Sequence, residues 1–451
     1  MLKFPRPTAV LSICLYLAAI SRAGAATGDL YPRGDTFCFT FYSTSDADSR
    51  YALTNGATAI GPFYGEQAVP LANADQWNTK IIYKVKPPSM AGFKTSDFDK
   101  PGFVWPSDKT ISNEVATIVK AVGSDRHIAM WDIEPEELRS WKSAQLGYLK
   151  LVSSTIRAND PERRPVFLYE CNNRVGSVLA PSLAWQDLSA KGTYVNAVDS
   201  GVFITNRIWA RWSMEQSVRA CALGNTRAVP WIVLWMASNA PAGSFSRITN
   251  WCRHDAYMGL IMGGKGIQIW SGARGRRGFS SQDFQAYLEG YLSVARDLNG
   301  PLHLAPVFLF GKPLTNATMK TTSGPARLEL IYQKTTNSYP PVTWSSAKYG
   351  GAEYLFMVNS AEQAVTVRFD GLPAEEREEL FTGIRAATPA GSCSVTLPPL
   401  AVSAFRFGAR ERLSSSDHSR SVVNSAAAAL VNSPGDQQPA SAPANRPSPA
   451  S

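Results

Sequence analysis

Histidine is scarce in this sequence of 451 residues, with only four, at positions 127, 254, 303 and 418. None forms HxH or HExxH, which argues against a histidine-ligated metal hydrolase. No GxSxG turn occurs, and no histidine is placed to serve a nucleophilic serine. Cysteine is sparse too. Cys14 falls in the N-terminal leader, leaving Cys38, Cys171, Cys221, Cys252 and Cys393 with no CxxC and no zinc spacing. A disulfide or two in an oxidising compartment is open to these five, but they are no disulfide scaffold. No GxGxxG follows a strand, and Gly263-Gly264-Lys265-Gly266 precedes one, at the wrong end for a dinucleotide, so no cofactor is expected. Long lysine or arginine runs are missing, which argues against nucleic acid. The formal charge of +9 instead suits anionic substrates mildly. Beyond residue 20 no apolar stretch reaches membrane-spanning length.

What is present begins with a leader. Lys3 and Arg6 precede an apolar core from Ala9 to Ile20, and Ala23-Gly24-Ala25-Ala26 offers small residues for cleavage. Residues 1–26 therefore read as a secretory signal, and the mature chain is expected to be secreted or periplasmic. Residues 27–300 alternate short apolar strands with helix-sized segments. The expected strands are Phe37–Tyr42, Ala57–Phe63, Lys80–Val85, Ile128–Ile133, Val166–Glu170, Tyr194–Val198, Trp231–Met236 and Gly266–Trp270. Helices are expected at Ser107–Val122, Leu138–Ala158, Arg207–Ala222, Arg247–Met262 and Ser281–Leu298. Eight such strand–helix units predict an α/β fold of the (β/α)8 TIM-like barrel type. Residues 301–408 turn to strands at Leu304–Phe310, Arg327–Tyr332, Glu353–Asn359, Val365–Phe369, Ser394–Leu397 and Val402–Phe407. These predict a small antiparallel β-sandwich. Residues 409–451, rich in serine, alanine and proline, are expected to be disordered.

The chain is organised around His127–Leu138, HIAMWDIEPEEL. As a strand, it sends Met130, Asp132 and Glu134 to one face and Trp131 and Ile133 to the other. Two carboxylates at the C-terminal end of a buried barrel strand mark a candidate catalytic site. Glu136 and Glu137, beyond Pro135, read as helix-start residues favoured by the macrodipole. The other strand ends add Tyr64, Glu170 with Asn172, Asp199, Trp235, and Gln268 with Trp270. After the last strand comes a basic loop containing Arg274, Arg276 and Arg277, suited to a uronate or sulfated glycan. Carboxylates with aromatics and amides suit glycosidic chemistry, since aromatic faces cover the apolar faces of sugar rings. Tyr64, Asn172, Asp199, Trp235, Gln268, Trp270 and Arg274 are the candidate substrate-binding residues.

The motif Asp132-Ile133-Glu134 resembles the D-x-E strand ending of hyaluronidase and chitinase-like hydrolases. The continuation Glu136-Glu137-Leu138-Arg139-Ser140-Trp141 and the strand Gly266–Trp270 are also similar to hyaluronidases. Met130 stands where chitinases carry a further Asp. The resemblance implies a TIM-barrel glycoside hydrolase in which Glu134 is the general acid/base. Asp132 then assists the substrate's own acetamido group as nucleophile, an exception to the two-carboxylate rule. In that scheme Glu134 holds a proton near neutral pH, its pKa raised by an ionised Asp132. The stretch SVTLPPLAVSAFRF resembles the closing strands of the β-domain that follows the barrel in polysaccharide-cleaving enzymes. A second scheme, resembling amylase-type and α-galactosidase-type barrels, makes Asp132 the nucleophile and Glu170 the acid/base. A third reading is a non-catalytic barrel that binds glycans. In each, the partner is a polysaccharide or glycan, with an anionic one favoured by the basic loop.

Overall fold

The computed structural model of the protein describes residues 28–193, 206–238, 240, 243–270 and 280–408. Eight parallel strand positions succeed one another. They are β1 (Cys38–Phe41), β2 (Ala59–Ile60), β3 (Lys80–Val85), β4 (Ile128–Ile133) and β5, in two pieces (Val166–Phe167 and Tyr169–Glu170). Next come β6 (Leu188–Lys191), β7, also in two pieces (Val229–Pro230 and Ile232–Trp235), and β8 (Gly266–Trp270). A helix follows each strand: α1 (Asp46–Thr54), α2 (Ala68–Gln76), α3 (Asp108–Val122) and α4 (Ser143–Asn159). The second half supplies α5 (Gly176–Leu183), α6 (Ile208–Gly224), α7 (Phe245–Ile261) and α8 (Ser281–Asn299). Parallel pairing joins β2 to β3, β4 and β5, joins β5 to β6 and β7, and joins β7 to β8 and β1. Between β1 and β2, Thr58 N donates to Phe39 O at 3.0 Å and Ser43 N to Pro62 O at 2.8 Å.

Alternation along the strands divides two apolar surfaces. Cys38, Ile82, Met130, Phe167, Tyr169 and Val233 meet in one cluster drawn from strands on all sides. The intervening residues Ile81, Val85, Trp131, Ile133, Val166 and Leu168 pack instead against Val115 and Val119 of α3 and Leu149 and Ile156 of α4. Trp131 Nε1 donates to Asp160 Oδ2 at 2.9 Å on that helix side. Period-two alternation therefore places Met130 and Asp132 on the inner face and Trp131 on the outer one, as the strand pattern predicts. Gly266 opens β8 where a Cβ would lie 2.8 Å from the Trp231 ring, so the indole fills the inner cluster only because no side chain stands there.

Several expectations are corrected. The sixth strand is Leu188–Lys191, whereas the expected Tyr194–Val198 lies outside the described residues. LSAK carries little β-propensity, and its pairing with β5 and β7 decides its state. The helix expected from Leu138 starts only at Ser143. Glu137 holds a φ of 61°, outside helical space, and Arg174 takes the carbonyls of Glu137 and Leu138 at 2.5 and 2.6 Å. The expected strand Leu304–Phe310 is a short helix, α9 (Ala305–Phe310); Pro306 in its first turn fits a helix start. Cys38, Cys171, Cys221, Cys252 and Cys393 are free thiols.

Beyond α9 the chain is antiparallel. A three-stranded sheet joins β9 (Thr318–Ser323), β14 (Val365–Asp370) and β17 (Cys393–Leu397). A five-stranded sheet holds β12 (Val342–Tyr349), β13 (Ala352–Asn359), β18 (Val402–Phe407), β15 (Glu376–Glu379) and β16 (Arg385–Ala387) in that order. Val342, Leu355, Val367, Phe369 and Phe405 fill the space between the sheets. The hairpin β10 (Leu328–Tyr332) and β11 (Thr335–Tyr339) pairs with neither sheet. It packs on α6, with the Tyr332 ring 5.1 Å from Trp209 and 4.9 Å from Trp212. Tyr332 Oη donates to Asn173 O at 2.5 Å, so the hairpin reaches the turn that follows β5.

One apolar cluster runs from Trp251, Cys252 and Tyr257 of α7 to Phe356, Val358 and Ala404 of the five-stranded sheet. His254 is wholly buried within this junction. Its ring nitrogens meet Asp255 Oδ1 at 2.8 Å and Ser360 Oγ at 2.9 Å. Replacing His254 with leucine strands both partners, and the expected loss is about 1–3 kcal/mol of unfolding free energy. Ser360→Ala should cost less, since it removes one partner only. Urea unfolding of the two variants checks this, and a neutral His254→Leu would contradict the assigned junction.

Candidate active site

The register of β3 against β4 sets Lys84 beside Asp132, on the same inner face. Both are buried, at 5% and 1% exposure. The chain then turns through Glu134, Pro135 and Glu136. Tyr148 Oη of α4 donates to Glu134 O at 2.7 Å, and Thr95 Oγ1 donates to Glu136 O. These contacts bring three carboxylates to one ammonium. Lys84 Nζ stands 2.6 Å from Glu136 Oε1, 3.3 Å from Glu134 Oε2 and 3.6 Å from Asp132 Oδ2. Tyr42, at the end of β1, hydrogen-bonds Lys84 and donates to Glu136 Oε1 at 2.8 Å. Lys86 Nζ reaches the other Glu134 oxygen at 2.9 Å.

Aromatic side chains border the cluster. The Tyr42 and Tyr64 rings lie 4.7 Å apart, and Lys84 Nζ sits 4.8 Å from the first ring centroid and 5.7 Å from the second. Trp270 Nε1 donates to Tyr64 Oη at 2.9 Å, and the Trp270 ring is 6.3 Å from Trp235. Strands β1, β3, β4, β7 and β8 and the chain after β2 therefore contribute to one locality.

The electrostatics divide the acids. Burial pushes the Asp132 carboxyl up to about 8; Lys84 opposes that shift, and Glu136 and Glu134 add to it. Burial acts on Glu134 in the same sense, but Lys84 and Lys86 outweigh it and hold that carboxyl below its ordinary value. Burial works against the charge of Lys84, yet its acidic neighbours, Glu136 first, keep its pKa well above the ordinary value. The shifts run opposite to the expected ones: in the ligand-free protein the raised carboxyl is that of Asp132, and the lowered one is that of Glu134. The reason is depth, since Asp132 is buried while Glu134 is half-buried between two lysines.

At 3.6 Å the Lys84–Asp132 contact is too long for a hydrogen bond. Both Asp132 oxygens and Gln268 Oε1 are buried without a hydrogen-bond partner. Each such atom costs about 1–3 kcal/mol, an expense more typical of chemistry than of stability. The raised Asp132 pKa has a sign. Relative to the ordinary 3.8, the fold's advantage from holding this proton is complete below that value. It disappears as pH rises to about 8. Asp132→Asn is therefore expected to flatten the decline in stability between those limits by on the order of a few kcal/mol. Urea midpoints across that range test it, and parallel wild-type and variant slopes would refute it.

Other candidates stand elsewhere. Glu170 shares its face with Val166 and Leu168, and that face meets the helices. It pairs with Arg174 and accepts from Ser182 Oγ at 2.8 Å and Gln186 Nε2 at 3.3 Å. The scheme with Glu170 as acid/base to Asp132 is thus corrected, because α5 and its flanks consume this carboxylate. Asn172 is 3% exposed, and its backbone oxygen accepts from Lys191 Nζ at 2.5 Å. It is packed into the turn rather than presented to a ligand. Gln268 is buried on the inner face of β8. Asp199, Arg274, Arg276 and Arg277 lie outside the described residues. Tyr42, Lys84 and Glu136 are the site residues that the sequence reading left without a role. A lysine inside the apolar run KIIYKV was the available signal for Lys84.

Among solved structures, an α-amylase from Anoxybacillus superposes with a TM-score of 0.51 at 10% identity, covering 82% of this chain and 90% of its own. A variant of AmyP in complex with maltotriose gives 0.50 at 10% identity, over 82% and 92%. At that identity the likeness is one of fold, a TIM-type barrel followed by a β-sandwich. No protein-family model matches the chain, and no curated protein matches it.

Proposed function

We propose that this protein is a glycoside hydrolase whose reaction is carried by Asp132 and Glu134. The observation behind this is the convergence of Asp132, Glu134 and Glu136 on buried Lys84, beside Tyr42, Tyr64 and Trp270. It lies at the C-terminal ends of the parallel strands, where barrel enzymes keep their chemistry. The amylase-like fold is compatible with it. This reading takes the eight-strand array as a closed (β/α)8 barrel, which the strand pairings around it favour.

In the ligand-free protein one proton rests on Asp132. A sugar covering half-buried Glu134 strips it of water, which raises its proton affinity. The proton then passes to Glu134 and on to the glycosidic oxygen. The substrate's 2-acetamido oxygen attacks the anomeric carbon as the bond to the leaving oxygen breaks. Asp132, now anionic beside Lys84, orients the acetamido N–H. Water completes hydrolysis and returns a proton to Glu134. The D-x-E resemblance to hyaluronidase and chitinase-like hydrolases supports this substrate-assisted route. A second route is favoured by the placement of Glu136, which shares Lys84 with Glu134. It makes Glu136 a nucleophile that forms a covalent glycosyl intermediate, which water then hydrolyses.

The substrate is then a polysaccharide rich in 2-acetamido sugars, and export through residues 1–26 would bring the enzyme to it. Purified protein should release reducing ends from at least one member of a glycan panel. The matched Glu134→Gln protein should release them at least about a hundredfold more slowly. Equal release from both proteins would defeat the assignment, and a glycosyl adduct trapped on Glu136 would select the second route.

A further inference from the structure

The strand-four turn ends in an aromatic residue that the carboxylate chemistry does not use. Trp141 is 56% exposed, and the other large exposed aromatics among the described residues are tyrosines and phenylalanines. Leaving an indole in water forgoes roughly 1.5–3 kcal/mol of burial. The ring is nonetheless not loosely attached. The Arg174 guanidinium lies over it, 5.2 Å from the ring centroid.

Arg174 is itself fixed. It pairs with buried Glu170 and donates to Leu138 O at 2.6 Å and Glu137 O at 2.5 Å. Ser182 and Gln186 hold the far side of Glu170. Ser140 Oγ donates to Val178 O of α5. One buried network thus clamps the segment that runs from the carboxylates to Trp141. With Arg174 stacked over the ring, Trp141 still leaves more than half of its surface in solvent. The hairpin β10–β11 also holds the turn after β5, through Tyr332 Oη and Asn173 O.

We propose that Trp141 is the stacking platform of a distal subsite, which takes a pyranose ring of a polysaccharide remote from the bond that is cut. The proposal rests on the glycosidase reading for its choice of ligand. An exposed, pre-oriented indole gives up little entropy on stacking, and its flat apolar face complements the C–H face of a sugar ring. Arg174, through Glu170, is a positioning residue that orients the platform. This gives the Glu170–Arg174 pair a purpose beyond filling a gap between strand and helix. The platform favours long chains over short ones, because only a long chain spans from the carboxylates to Trp141.

Affinity electrophoresis of the full chain tests this without turnover. Native gels are cast with hyaluronan, glycol chitin or soluble starch. Wild type is expected to be retarded in at least one. Trp141→Ala should lose affinity about ten- to a hundredfold there, and Trp141→Phe should keep most of it. Retardation of Trp141→Ala equal to wild type would overturn the platform, as would wild-type mobility unchanged in all three gels. Where wild type also cleaves the polymer, Trp141→Ala should raise KM for it and leave hydrolysis of a chromogenic monosaccharide glycoside unchanged. Equal losses on both substrates would assign Trp141 to the fold instead. Binding without hydrolysis by wild type would refute the glycosidase reading while leaving the platform standing, so the two failures separate.

Discussion

Lys84→Met is expected to cost about 3–5 kcal/mol of unfolding free energy near neutral pH, the largest stability effect in the molecule's site. The side chain is nearly inaccessible, and methionine replaces its volume closely. What is lost is the positive charge that three carboxylate oxygens share within 3.6 Å. Without it, Glu134 and Glu136 are left as like charges with little water. The Glu134 pKa then rises above its unfolded value, and that of Asp132, raised already, rises further. The penalty is therefore complete at neutral pH and should shrink as pH falls below about 4, where the unfolded chain also binds these protons. Guanidinium unfolding of wild type and variant near pH 7 and near pH 4 separates charge from packing. A deficit of equal size at both would show that Lys84 contributes only its aliphatic stem.

How much of this was legible beforehand follows from particular residues. Strands β3, β4 and β8 could be bounded correctly because their apolar runs are flanked by polar breaks, as in KIIYKV and IAMWDI. Alternation alone placed Asp132 inward and Trp131 outward. Strand β6 was missed because LSAK owes its state to its neighbours on either side. Glu136 was misread for a similar reason. Acids after a proline look like a helix start, whereas here distant Arg174 and Thr95 hold the backbone in a turn and aim the side chain at Lys84. Glu170 was given the wrong environment because alternation fixes which residues share a face but not which face meets the helices. The direction of the two carboxyl shifts was not legible, because it depends on depth and on Lys84 and Lys86, which β3 and the residue after it deliver to β4.

The remaining large effect belongs to Glu134→Gln, expected to lower kcat about 10²–10⁴-fold with KM little changed. Glutamine keeps the shape and can still accept from a lysine, while Lys84 retains Asp132 and Glu136 as partners. The fold should therefore survive, and thermal unfolding within a few degrees of wild type checks that the loss is chemical. The pH profile carries the finer test. In wild type the proton needed for the leaving group is stored on Asp132, whose pKa of about 8 sets where it is lost. Wild-type activity should accordingly fall as pH rises through about 8, the direction expected when an acid gives up its proton. In Asp132→Asn the store is gone, and Glu134 must hold the proton itself against Lys84 and Lys86, which keep its carboxyl below its ordinary value. The alkaline limb should then move to lower pH, and the residual rate near neutrality should fall. If the limb stays where it is in wild type, the proton is not stored on Asp132, and another acid serves the leaving oxygen.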